Sequence, residues 1–102
     1  MNMKLVRDKI PLIISDCGKT CAYHHATRDE YKKFLYEKMH EELNEFIDAP
    51  CYEEAADMYE VLRAICKFHD LDMSQVLAEA NNKRDIRGGF NNKIILENVN
   101  ND

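Results

Sequence analysis

A carboxylate stands in the middle of an apolar stripe, and that placement constrains the fold of this chain more than any other feature. In the run from Tyr31 to Ile47, Tyr31, Leu35, Met39, Leu43 and Phe46 recur at the spacing of one helix face. Successive helical residues turn by about 100°, so Glu42 falls near the centre of this stripe and Glu45 at its margin. The next run repeats the arrangement: Glu54 and Asp57 begin a stripe that continues as Val61, Ile65 and Phe68. Each run therefore carries two acids three residues apart, a spacing that brings both carboxylates to one side of a helix. A carboxylate aimed at a core is costly unless its charge is compensated. A hard divalent cation, which takes oxygen ligands, is the simplest compensation. Adjacent acids on a solvated helix face are common, and Glu41, at the stripe's edge, fits that plainer description. The recurrence of the acid pair on the following helix weighs the other way.

A chain of 102 residues is one domain with a single modest core, small enough to leave room for help from oligomerisation. With 45% hydrophobic and 32% charged residues, it reads as a helix-rich globular protein and not a disordered one. A net charge of −5 argues against broad nucleic-acid binding, which needs a basic face. It leaves open a phosphorylated small molecule, since a metal reverses the local sign of a site. Met1 to Arg7 lack the apolar run of a signal peptide, and no stretch approaches the roughly 18 apolar residues of a membrane span. The expectation is a cytoplasmic protein, without membrane attachment, whose four cysteines are reduced thiols.

Along the chain, Asp8 is expected to cap a short helix with Pro11 in its first turn, where the missing N–H does no harm. Leu12, Ile13 and Ile14 form its apolar face and Gly18 ends it. Cys21 to Ala26 reads as a short edge strand, with Ile94-Ile95-Leu96 as its natural partner. Cys17, Cys21, His24 and His25 raise the question of zinc. All four are crowded between residues 17 and 25 with no second half to the site, unlike the paired spacings of structural zinc, so they are read as incidental. Thr27-Arg28-Asp29-Glu30 is a capping box that opens a helix running to about Asp48, where Ala49-Pro50 breaks it.

The following helix runs from near Cys51 to about His69, with Glu53, Glu60, Arg63 and Lys67 outward. Ala55, Met58, Tyr59, Leu62 and Cys66 make it apolar beyond its core stripe, which suggests packing on two sides, the second against another subunit. Asp72 or Ser74 caps a last helix that turns Val76, Leu77 and Ala80 inward and ends before Gly88-Gly89. Its final turn carries Asn81 and the cations Lys83, Arg84 and Arg87, which suit the helix dipole or a phosphate. The fold class is all-α: a small bundle of about four helices with a short terminal β pairing, completed by oligomerisation.

Carboxylates from two adjacent helices and a basic cluster from a third suit Mg²⁺ and a polyphosphate. Mg²⁺ binds protein carboxylates together with substrate phosphates and water, polarises a phosphoryl oxygen and orients a water. Basic side chains neutralise charge on the departing phosphate, and a carboxylate not committed to metal takes the proton of the attacking water. There is no glycine-rich phosphate loop and no Ser/His/Asp or Cys/His pattern.

Taken in order, these motifs resemble the MazG-like superfamily of all-α nucleoside triphosphate pyrophosphohydrolases, and within it the small phosphoribosyl-ATP pyrophosphohydrolase-like proteins. The superfamily pattern, Glu-Glu-x-x-Glu then Glu-x-x-Asp, is matched by Glu41-Glu42-Leu43-Asn44-Glu45 and Glu54-Ala55-Ala56-Asp57, and a downstream Asn-x-Lys by Asn81-Asn82-Lys83. The narrower family adds Lys4-Leu5-Val6-Arg7-Asp8-Lys9-Ile10-Pro11, then Arg87-Gly88-Gly89-Phe90 and Ile94-Ile95-Leu96. The likeness covers nearly the whole chain and is weakest from Cys17 to Ala26.

It implies a Mg²⁺-dependent cut between the α and β phosphates, with Mn²⁺ as a substitute ion, giving a nucleoside monophosphate and pyrophosphate. It also implies a homodimer or homotetramer. Carried over, Glu42, Glu45, Glu54 and Asp57 are metal ligands, and Glu41 is a further ligand or the group that orients the water. Asn81, Lys83 and Arg87 contact phosphate or sugar. A phosphate role for Arg7 and Lys9 is inferred from their charge and position. The expected role is clearing non-standard nucleotides. Two alternatives stay open: the phosphoribosyl-ATP pyrophosphohydrolase of histidine biosynthesis, and a non-catalytic helical module that binds a partner or a nucleotide.

Overall fold

The computed structural model describes residues 3–100. It contains α1 (Ile10–Asp16), α2 (Arg28–Asp48), α3 (Tyr52–Phe68) and α4 (Met73–Arg87), and no strand among the described residues. The all-α class follows from the sequence as expected; the terminal β pairing does not form. Cys21 to Ala26 are exposed throughout, so this segment has no buried face to specify a register. His24 is instead tied to Glu30 at the start of α2, at 2.9 Å.

Local chemistry sets each helix boundary. Ahead of α1 the Ile10 N–H donates to the Arg7 carbonyl at 3.0 Å, closing a turn that contains Asp8. Lys9 therefore occupies the N-cap position, without a side-chain cap, in place of the expected Asp8. Gly18, at φ +77°, ends the helix. Its N–H donates to Ser15 O at 3.0 Å and that of Lys19 to Ile14 O at 3.2 Å, the paired bonds of a Schellman ending.

Thr27 caps α2, its hydroxyl accepting the Glu30 N–H at 3.3 Å, while the Glu30 carboxylate engages His24. The helix stops at Ala49, ahead of Pro50, which disfavours α geometry in the residue before it. In α3 the first turn holds Glu53 and Glu54 and the last holds Lys67, as the helix dipole favours.

Met1–Asp70 and Leu71–Asp102 are separate compact units. In the first, α2 and α3 pack together as an antiparallel hairpin. Tyr31, near the start of α2, meets Phe68 at the end of α3 with ring centroids 5.8 Å apart, and the Tyr36 hydroxyl lies 2.6 Å from His69 Nε2. The Arg28 guanidinium covers the Phe68 ring at 4.2 Å.

Leu35, Val61 and Cys66 are the buried apolar residues of this hairpin, and Glu42 is buried with them. Tyr31, Met39 and Phe46 on α2 and Ile65 and Phe68 on α3 are half-buried. Leu43, expected in the stripe, is 41% exposed because it lies a residue, about 100°, beyond the line through Leu35, Met39, Glu42 and Phe46. Glu53, Glu60, Arg63 and Lys67 are all exposed, as expected of the outer side of α3.

In the second unit Asp72 caps α4, its carboxylate accepting from both the N–H and the hydroxyl of Ser74 at 2.9 Å. Those bonds hold the Asp72 carboxyl below the usual carboxylate range. Gly88, at φ +83°, closes the helix. Val76 is half-buried, but Leu77 and Ala80 are exposed and not inward as expected. The stripe on α4 has no second helix within its own unit to cover it.

With so few buried apolar side chains, Leu35→Ala is expected to cost about 3 kcal/mol in urea denaturation. Thr27→Ala, which removes a cap at the surface, should cost about 1 kcal/mol.

Candidate metal centre

The acids of the two helices converge at the seam of the hairpin. One carboxylate oxygen from each of Glu42, Glu54 and Asp57 lies within 4.8 Å of the others, and the same holds for Glu41, Glu42 and Glu45. Glu42 belongs to both groups and is the residue that joins α2 to α3. Helical spacing explains the pairs: Glu42 and Glu45 share a side of α2, and Glu54 and Asp57 share a side of α3. The packing of α2 on α3 brings the two sides face to face.

Burial grades the cluster. Glu42 is only 5% exposed, Glu41, Glu54 and Asp57 are half-buried, and Glu45 is exposed. Two cations partly offset this charge. The Lys38 ammonium lies 3.2 Å from Glu42 Oε1 and 3.6 Å from Glu41 Oε1, and Arg7 Nη2 donates to Asp57 Oδ1 at 2.7 Å. Two oxygens remain buried without a hydrogen-bond partner, Glu42 Oε2 and Glu54 Oε2. A buried carboxylate oxygen ordinarily finds a donor, and here each helix carries one orphan, on Glu42 and on Glu54, two residues of one carboxylate group. An oxygen-only set of this kind fits a hard divalent ion, which needs no donor hydrogens.

The Glu42 carboxyl is pushed above the usual carboxylate range, chiefly by burial, with Glu45 adding to the rise and Lys38 opposing it. A cation at the orphan oxygens would favour the charged form and reverse this effect.

The five expected acids fall into two groups that share Glu42: Glu41, Glu42 and Glu45 within α2, and Glu42, Glu54 and Asp57 across the two helices. Arg7 joins them through Asp57, whereas Lys9 is exposed at the start of α1. Asn81, Lys83 and Arg87 are exposed on α4 in the second unit, so the cluster described here draws on the first unit alone. Cys17, Cys21, His24 and His25 form no metal-binding group among the described residues. Lys38 lies in no motif. Its signal is its spacing, since it precedes Glu41 and Glu42 by the intervals that place side chains together on a helix. Comparisons with protein-family models, curated proteins and solved structures yield no match.

The Glu42 shift has a definite sign. A raised carboxyl pKa means that the folded chain holds the proton more tightly than the unfolded chain. Folding stability is therefore lost as pH rises from the ordinary glutamate value of 4.5 through the raised one. In EDTA, Glu42→Gln should be more stable than the unaltered protein at neutral pH, and the gap should close on acidification toward pH 4.5. Urea melts across that range read it directly. A less stable variant at neutral pH would mean that the Lys38 pair outweighs the burial.

Proposed function

We propose that this chain is a Mg²⁺-dependent nucleoside triphosphate pyrophosphohydrolase, cutting between the α and β phosphates to release a nucleoside monophosphate and pyrophosphate. The observation that carries the metal is the pair of orphaned, buried carboxylate oxygens, one on each helix, in Glu42 and Glu54, residues that with Asp57 can each bring an oxygen within 4.8 Å of the others. What carries the reaction class is the order of motifs from Lys4-Leu5-Val6-Arg7 to Ile94-Ile95-Leu96, which resembles the MazG-like enzymes.

Glu42, Glu45, Glu54 and Asp57 would hold Mg²⁺, or Mn²⁺ in its place. The bound ion supplies charge neutralisation and polarisation of a phosphoryl oxygen. The remaining work belongs to the chain. Glu41 is half-buried with Lys38 3.6 Å away; it accepts the proton of the attacking water, and Lys38 steadies its charge. Arg7 pairs with Asp57 and is more than half exposed; its planar guanidinium would pair equally with a substrate phosphate if the acids held an ion. Lys9, Asn81, Lys83 and Arg87 are assigned to phosphate and sugar on charge and on the resemblance. A homodimer or homotetramer would cover Leu43, Ile47, Tyr59 and Leu62, which are exposed apolar residues of α2 and α3. The proposed setting is cytoplasmic house-cleaning of the nucleotide pool. No helix among the described residues is long and apolar enough to cross a membrane.

One observation favours a second reading. Arg7 and Lys38 already neutralise part of the cluster, as they would in a purely structural ion network within a non-catalytic helical module. Pyrophosphate release from a panel of NTPs, dNTPs and phosphoribosyl-ATP, with Mg²⁺ and with EDTA, separates the readings and tests the histidine-pathway substrate at the same time. Glu45→Ala and Asp57→Ala are expected to fold, yet to lose more activity than the roughly 10–100-fold typical of removing a metal's outer partners. Arg7→Gln should lower thermal stability in EDTA and be rescued by Mg²⁺. In the structural-network reading there is no turnover and Mg²⁺ rescues nothing.

A further inference from the structure

We propose that a cavity beside the acid cluster seats the base of the nucleotide and selects bases that carry an exocyclic amino group. The inference rests on the nucleotide reading above and adds a specificity to it. The cavity, about 600 Å³, is lined by Met3, Lys4, Leu5, Phe34, Glu37, Lys38 and Glu41. All of these belong to the first unit. It is an open cleft, with Met3, Lys4 and Glu37 exposed and Leu5, Phe34, Lys38 and Glu41 half-buried, and its volume lies in the range of small-molecule sites.

Its position follows from two shared residues. Lys38 and Glu41 line the cavity and also belong to the acid cluster, where Lys38 lies 3.2 Å from Glu42. A molecule whose phosphates meet the acids can therefore extend directly into this space. The lining describes what such an extension would be. Phe34 and Leu5 are half-buried, and Met3 adds a polarisable thioether, surfaces that suit a flat aromatic ring.

The charged lining consists of two cations, Lys4 and Lys38, and two anions, Glu37 and Glu41. A balanced lining suits a neutral occupant, not the phosphate chain. Lys38 and Glu41 are engaged with each other at 3.6 Å. No ion pair among the described residues involves Lys4 or Glu37, so these two are left to read the occupant's edge.

An ionised glutamate only accepts hydrogen bonds and an ammonium only donates them. Glu37 therefore favours an amino group such as N4 of cytosine or N6 of adenine, with Lys4 serving a neighbouring ring nitrogen or carbonyl. Uracil and hypoxanthine present a carbonyl where those bases present the amine, and a carbonyl oxygen facing Glu37 would meet an acceptor with an acceptor.

Non-hydrolysable α,β-methylene triphosphates form two matched pairs for the test, deoxycytidine with deoxyuridine and adenosine with inosine. Each is titrated with Mg²⁺ into the full chain carrying labelled Met and Leu methyls. The expected result is a shift of the Met3 and Leu5 methyls, and binding about tenfold tighter for the amino member of each pair, the effect of one hydrogen bond to a charged group. Glu37→Gln, whose amide both donates and accepts, should erase that preference without altering the Mg²⁺ requirement. Nucleotide binding that leaves Met3 and Leu5 unmoved, or a preference unchanged in Glu37→Gln, overturns the base seat and leaves the nucleotide reading standing. If none of the four analogues binds, the nucleotide reading falls and the base seat with it.

Discussion

The burial of Glu42 between α2 and α3 is the constraint on which the rest of the first unit depends. A hairpin of two helices normally closes on apolar side chains, and this one does so only in part, through Leu35, Val61 and Cys66. At the centre of the seam it closes on a carboxylate whose second oxygen has no partner. Such a group weakens a fold unless something occupies the space in front of it. The neighbouring groups are arranged around that demand. Lys38 offsets part of the charge from the preceding turn of α2, Arg7 does the same for Asp57 from the segment before α1, and Glu54 presents a second orphan from the facing helix. The seam is strained electrostatically in a way that a divalent cation would relieve.

Much of this was legible in the residues. The helix boundaries rested on chemistry that acts over a few positions: the Thr27 cap, the Ala49-Pro50 break, the Asp72 cap and the glycines at 18 and 88. The convergence of Glu42 with Glu54 and Asp57 followed from periodicity, because an acid inside an apolar stripe must face whatever the stripe faces.

Where the reading failed, non-local or competing contacts decided. Asp8 lost its capping role to a turn closed by Arg7 and Ile10. The strand at Cys21 to Ala26 required a partner, and its local alternative, His24 with Glu30, needed none. Leu43 and Leu77 are apolar, but periodicity alone does not say which half of a broad stripe meets a neighbour. Lys38 lies in no motif and matters only because Glu41 and Glu42 come one turn later. The cavity lined by Lys4, Leu5 and Phe34 joins segments far apart in the chain, which no local pattern predicts.

The thin apolar core and the acid seam have a common consequence for function. A site built on two packed helices is held more rigidly than one on loops, and metal ligands need that precision. Here the acid-bearing faces are also the packing faces, so an ion bound by them would be linked to hairpin stability: whatever binds the folded cluster and not the unfolded chain stabilises the fold by mass action. Arg7, at the rim, lies on the segment that also lines the neighbouring cavity through Met3, Lys4 and Leu5. One stretch of chain would thus serve the phosphates and the base together.

The central claim is that the acids of α2 and α3 share one divalent ion. Paramagnetic broadening by substoichiometric Mn²⁺ in a two-dimensional amide NMR spectrum tests it most directly, since the effect falls off steeply with distance from the ion. Selective loss of the signals around Glu42, Glu45, Glu54 and Asp57, reversed by excess Mg²⁺, is the predicted result. Broadening centred elsewhere, or spread evenly over the acidic surface, would contradict it.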